Sequence, residues 1–253
     1  MPDSQTGSIT LLPLHGIPAV EPAADLAQLI AAAAQTNGVA LADSILVVCQ
    51  KVVSKAENRM VALAEVEPSA EALQIAAEDD KDPRHVEVVL RESVRIVRRG
   101  HGVLISETRH GFVCANAGVD LSNAPGEDIA VLLPEHPDAS AAALRNALEA
   151  RVGGRVGVII SDTFGRPWRE GLVDVAIGCA GLAPIEDIRG REDWTGRELL
   201  VTTTATADQL AAAAGVLMVK DAGIPAVCIQ GVPPRGDGRL GDLLRDPGSD
   251  LFR

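Results

Sequence analysis

The chain predicts an α+β fold of two interleaved lobes with mixed and antiparallel sheets, and three observations predict it. Residues 95–120 read as a block of consecutive short strands. Helical apolar stripes lie on both sides of that block. Across 253 residues there is no internal repeat and no linker long enough to separate independent domains. Residues 1–232 are therefore expected to form one domain of two lobes, with 233–253 as a tail.

The first apolar run, residues 9–14, ends in the turn-like His15-Gly16-Ile17-Pro18. A helix is expected over 23–35, because Leu26, Leu29, Ile30 and Ala33 share one face and Asn37-Gly38 closes it. Residues 44–48 form an apolar β-branched strand, with Val52-Val53 as a candidate extension. A short helix follows Pro68 and Ser69 and is expected to bury Leu73 and Ala76-Ala77. The next begins at Asp82-Pro83, an N-cap followed by a proline whose missing N–H costs nothing in a first turn. Its apolar stripe reads Val86, Val89, Leu90 and Val94.

Strands are expected at 95–98, 102–106 and 111–115, with Arg109-His110-Gly111 as a hairpin turn. Asp138 and Ser140 lead a helix over 141–150 that Gly153-Gly154 ends. Residues 156–160 are a continuous apolar run, the pattern of a strand buried on both faces. A strand at 199–204, a helix at 208–218 and a strand at 226–230 complete the body. The segment after Val232, rich in Gly, Pro, Asp and Arg, reads as loop.

Three Phe, two Trp and no Tyr leave Ala, Val, Leu and Ile to fill the core. A net charge of −12 argues against nucleic acid or an anionic membrane as a partner, since both need a basic patch. An acidic chain that handles anionic substrates must neutralise them locally. Cys49, Cys114, Cys179 and Cys228 are widely spaced among apolar residues and read as buried free thiols. With no signal-peptide pattern and no run near the roughly 20 apolar residues that span a bilayer, a cytoplasmic location is expected. P-loop, dinucleotide-fingerprint, nucleophile-elbow and zinc-helix motifs are all absent. The five His residues show no metal-ligand spacing, and His85 and His136 are expected to face solvent.

Four segments carry candidate chemistry. In Ser161-Asp162-Thr163-Phe164-Gly165-Arg166 a buried strand hands over to a carboxylate and a hydroxyl, oxygen donors that suit Mg²⁺ or Mn²⁺. Asp162 could equally cap the next turn or pair with an arginine. In Asn116-Ala117-Gly118-Val119-Asp120-Leu121-Ser122-Asn123, Asp120 offers a second carboxylate and Asn123 a hydrogen-bond donor to phosphate, or the whole is a self-bonded turn. Lys51 and Lys55, after Gln50, could meet a polyphosphate or remain solvated. The 219–225 loop, with Lys220 and Gly223, could present N–H groups to phosphate or simply end a helix.

Taken in order, these segments resemble the coenzyme F420-0:γ-glutamyl ligase family. The resemblance runs from about residue 10 to 232 and includes Leu14-His15-Gly16-Ile17-Pro18, the stretch from Val47 to Glu57, Ala176-Ile177-Gly178, Asp193-Trp194-Thr195-Gly196-Arg197 and Ala222-Gly223-Ile224-Pro225. It implies the single-domain form, without the reductase-like C-terminal domain of some relatives. It also implies GTP as phosphoryl donor, L-glutamate as incoming amine and the coenzyme F420 precursor as acceptor. Asp120 and Asp162 would hold one divalent ion and Thr163 would help with a second. Ile17, Pro18, Ala19, Val20, Gln50, Lys51, Lys55, Asn123, Lys220 and Gly223 would line the GTP site. An intertwined homodimer and an assisting K⁺ are implied as well. Two ions cannot form an amide directly, so a carboxylate first takes the γ-phosphoryl group, giving an acyl phosphate that the amine attacks. The alternatives are a metal-dependent phosphohydrolase and a non-catalytic deazaflavin- or nucleotide-binding module.

Overall fold

The computed structural model describes residues 7–122, 126 and 128–250. It opens with β1 (Thr10–Pro13), α1 (Leu26–Thr36), β2 (Ser44–Cys49) and α2 (Gln50–Ala56). β3 (Met60–Ala62), α3 (Ala70–Asp79), α4 (Pro83–Glu92), β4 (Ser93–Gly100), β5 (Val103–Thr108), β6 (Val113–Ala115) and β7 (Ile129–Val131) follow. Then come α5 (Pro137–Val152), β8 (Val156–Arg166), β9 (Arg169–Ala180), β10 (Glu186–Asp187), β11 (Thr203–Thr204), α6 (Thr206–Gly215) and β12 (Ala226–Gln230). The fold is α+β.

Two hydrophobic cores divide this chain. The larger surrounds a five-stranded mixed sheet of order β1-β12-β2-β8-β9, in which β2 and β8 run parallel and every other pairing is antiparallel. Ile45, Leu46, Val47 and Val48 of β2 and Val158, Ile159 and Ile160 of β8 are fully enclosed, as their unbroken apolar runs require. α5 and α6 pack against β8 and β9, and α1 packs on α5. Among the described residues, the smaller core draws its buried members only from Leu63 to Leu132. It joins α3 and α4 to the antiparallel sheet β4-β5-β6.

Local signals explain most helix starts. Ser69 caps α3 by accepting the N–H of Ala72, and Asp82 caps α4 by accepting that of Arg84. Glu87 of α4 also accepts the Ser69 N–H at 2.9 Å, tying the two helices together. Gly153 ends α5 in the left-handed conformation.

Several expectations are corrected. Val52-Val53 do not extend β2; they belong to α2, where Val53 is buried beside Ser54. Burial overrides the β preference of the valines. Ala76 is buried as expected, but Leu73 is 53% exposed and Ala77 is exposed too; α3 buries Ala72 and Ile75 in their place, a rotation of the expected stripe. Val94 has left its helix for the exposed face of β4. β8 does not end at Ile160 but continues to Arg166 and turns into β9, a strand the sequence reading missed. Only Thr203 and Thr204 of the expected 199–204 strand pair, and the helix expected to reach Met218 stops at Gly215. His85 is buried, not solvent-facing, whereas His136 is exposed. After Val232 the chain packs back on the body: Leu240 is buried and donates its N–H to Asp138.

Candidate active site between two cores

The parallel pairing of β2 with β8 sets Cys49 opposite Ser161, so both strands deliver their next residues to one place. Past Cys49 begins α2, which carries Lys51 and Lys55 one turn apart. Past Ser161, β8 presents Asp162 and Thr163. A bulge in the β8–β9 ladder, between Ile160 and Ser161, re-aims the side chains at this point.

Asp120 arrives from the smaller core. Asn116 and Ala117 both have φ of +52° and Gly118 has +72°, a left-handed run that turns the chain sharply. At Gly118 a Cβ would lie 2.7 Å from Leu133, so only glycine fits. Asp120 is then fixed by a reciprocal pair of backbone hydrogen bonds with Val131.

These groups surround a cavity of about 310 Å³. Its lining includes Ile17, Pro18, Ala19 and Val20, the two lysines Lys51 and Lys55 of α2, and Lys220 and Gly223. Asp120, Asp162 and Thr163 line it as well. Gln50 lies beneath the lining: it is fully buried and its Oε1 accepts the Ser54 hydroxyl. Asn123 lies outside the described residues. Asp174 lines the cavity too, and sequence reading missed it; its one signal was a lone acid inside the apolar run Leu172-Val173 and Val175-Ala176-Ile177.

A second cavity, of about 520 Å³, shares Asp120, Asp162 and Thr163 with the first. His85, Asn116, Phe164 and Leu172 contribute to its walls. Burial holds His85 below the usual imidazole range, and its Nε2 has no hydrogen-bond partner among the described residues. A third cavity, of about 740 Å³, lies between α5 and the folded-back 237–244 segment and shares none of the three.

Charge is unbalanced at the junction. Lys51 Nζ lies 2.7 Å from Asp120 Oδ2 and donates to the Ser122 hydroxyl at 2.7 Å. Burial opposes ionisation of Asp120, but Lys51 and Ser122 outweigh it and hold the carboxyl below the usual range. Asp162 has no such cation to itself. Burial pushes it up to about 7, and repulsion from Asp120 and Asp174 adds to this against the Thr163 N–H and Lys51. Burial also raises Asp174, opposed by the Thr163 hydroxyl and Lys220. Lys55 is lowered by burial and then by Lys51. Burial pushes the Cys49 thiol up to about 11, which keeps it neutral and unsuited to nucleophilic attack.

No three His, Cys, Asp or Glu side chains among the described residues form a ready-made metal cage. The donor set nevertheless fits a hard divalent cation: a buried carboxylate short of positive charge, a second carboxylate and a hydroxyl, all oxygen ligands.

Residues 16–231 match the family model described as F420-0:Gamma-glutamyl ligase. The chain is 48% identical over 250 residues to the coenzyme F420:L-glutamate ligase of Methanothermobacter thermautotrophicus, covering 97% of this chain and 99% of that protein. It is 45% identical to the protein of the same name from Methanopyrus kandleri, covering 98% and 100%. The corresponding protein of Methanocaldococcus jannaschii is 45% identical, over 83% of this chain and 84% of the relative. The chain therefore belongs to the F420-0:gamma-glutamyl ligase family, and is an enzyme of the ligase class.

Proposed function

We propose that this protein joins L-glutamate, one or more residues in γ-linkage, to the coenzyme F420 precursor with GTP as phosphoryl donor, releasing GDP and phosphate. One observation carries the reading beyond family membership: Asp120, Asp162 and Thr163 are the common wall of two cavities. A reaction that passes a phosphoryl group from a nucleotide to an acceptor carboxylate needs such a shared boundary.

In this reading the cavity beside Lys51 and Lys55 takes GTP. The two ammonium groups meet its phosphates, and Ile17, Pro18, Ala19, Val20 and the 218–225 loop line the rest of the nucleotide site. The second cavity takes the acceptor, and its carboxylate meets the γ-phosphoryl group at the Asp162 end. Asp120, Asp162 and Thr163 would hold Mg²⁺ or Mn²⁺, two ions in all with K⁺ assisting, and bound metal would neutralise the phosphate charge and orient the transfer. Asp162 and Asp120 supply negative charge on the protein side of that contact. Thr163 supplies a neutral oxygen. An acyl phosphate forms, the glutamate amine displaces phosphate, and no side chain is needed as nucleophile.

In the same reading the protein is a pair of interleaved lobes in an intertwined homodimer in the cytoplasm, with residues 1–232 as the ligase domain and 233–253 as its tail. The smaller core, inserted between two parts of the larger, supports the lobes. Trp168 at the tip of the β8–β9 hairpin and Trp194, Leu200 and Val201 beyond it are strongly exposed, which supports a partner surface there.

The test is mass spectrometry of the precursor after incubation with protein, GTP, Mg²⁺ or Mn²⁺ and L-glutamate, with single omissions. Added glutamyl mass that depends on every component is expected. GTP hydrolysis without added mass would favour a phosphohydrolase instead. Binding without GDP formation would favour a non-catalytic module.

A further inference from the structure

Asp174 belongs to none of the segments that carry the family resemblance, yet it sits against the reacting end of the cavity. On β9 it is directly opposite Thr163 of β8, so two paired strands, not a loop, fix the distance between them. The Thr163 hydroxyl donates to Asp174 Oδ1 at 2.7 Å. On its other side the carboxylate is pressed against α6: a Cβ on Gly215 would lie 2.6 Å from Asp174 Oδ2. The carboxylate is thus clamped between a hydroxyl and a helix backbone that has been kept bare to admit it.

A hydroxyl can give its oxygen lone pairs to a cation only if its proton points elsewhere. Threonine hydroxyls rotate freely unless an acceptor holds the proton, and outer acceptors of this kind orient the groups that touch a metal. Here that acceptor is already in place, built into the sheet.

The geometry points to Asp174 as the positioning residue of this site, holding the proton of Thr163 away from the cavity so that the Thr163 oxygen faces a divalent cation. The inference rests on the metal and nucleotide reading above. Gly215 acts in the same device by leaving room for the carboxylate. Asp174 itself need not touch metal or phosphate.

The experiment is calorimetric titration of the full-length protein with Mn²⁺ in the presence of GDP, with GDP alone as a control. Asp174→Ala should weaken Mn²⁺ binding by about 10-fold or more. An unchanged circular dichroism spectrum shows that the fold is kept, and the titration with GDP alone separates any direct effect on the nucleotide from the effect on Mn²⁺. Asp174→Asn retains an acceptor oxygen and should recover most of the affinity. Gly215→Ala, which removes no functional group, should reproduce the Asp174→Ala loss by displacing the carboxylate. In a Thr163→Val background, Asp174→Ala should have little further effect, since the two act as one unit. Parental Mn²⁺ affinity in Asp174→Ala and Gly215→Ala would overturn the role of Asp174 while leaving the ligase reading intact. Equal further loss in the Thr163→Val background would also overturn it. A parent chain that binds no Mn²⁺ with GDP would overturn the metal reading and this inference together.

Discussion

Lys51, on the helix that follows β2, reaches across to Asp120 of the smaller core and places Nζ 2.7 Å from Oδ2. The pair is largely enclosed, with 11% and 30% of the two side chains exposed. It links the two halves of the site, and Lys51 is the cation nearest the carboxylate cluster.

Removing that ammonium leaves Asp120 and Asp162 without their counter-charge. Lys51→Met is expected to weaken GDP binding by about 10-fold or more, as loss of a partly buried charge partner does. Calorimetry with GDP in EDTA reads this directly. Unchanged affinity would remove Lys51 from the nucleotide site.

Asp162 ties stability to pH. Its folded value, about 7, lies above the usual carboxylate value, so between about pH 4 and 7 the folded chain holds a proton that the unfolded chain has lost. Metal-free protein should therefore lose stability as pH rises through that window and level off above it. Asp162→Asn should abolish ligase turnover yet raise the melting temperature of the metal-free protein at pH 8 by roughly 5 °C. Melting curves from pH 5 to 8 in EDTA check this, and parallel curves for parent and variant would refute it.

Glu87 behaves in the opposite sense. The Ser69 hydroxyl and N–H, with Arg91, outweigh burial and hold it at about 2. Its contribution is fully present above the unfolded carboxylate value and is lost as pH falls through about 2. Glu87→Gln is expected to cost about 1–2 kcal/mol at pH 7 in urea unfolding, with a shrinking difference toward pH 2. A difference independent of pH would mean that packing, not charge, holds α3 to α4.

Trp194 is 97% exposed, and Val201 lies 85% exposed on the same excursion from the body. If a second copy covers this face, Trp194→Asp combined with Val201→Asp should shift the protein from dimer to monomer in sedimentation velocity. A parent that already sediments as a monomer would end the dimer assignment.

The cavity was legible because its residues fall in short contiguous stretches whose order, more than any one motif, carries information. Lys51, Lys55, Asp120, Asp162 and Thr163 were all found that way, and all converge. Asp174 was not, because its relation to Thr163 is a cross-strand register that exists only once β8 and β9 pair. β9 itself was obscured by a first half that faces outward and a second half that is enclosed, so neither strict alternation nor a uniform apolar run appears. Local preference also misled at Val52-Val53, where tertiary burial made a helix of a β-branched pair, and at Leu73, where two candidate stripes differ by a small rotation.

The position of β12 in the sheet has a consequence for biogenesis. It is the last of the described strands along the chain, yet it lies between the first two, β1 and β2. Until residues 226–230 emerge, β2 keeps an open ladder beside the strand end from which the lysines depart. The buried members of the smaller core all precede β12 along the chain. The frame of the candidate site is therefore complete only once residues 226–230 have been made, and a chain cut short before Ala226 would carry Asp120, Asp162 and Asp174 with no finished sheet to hold them.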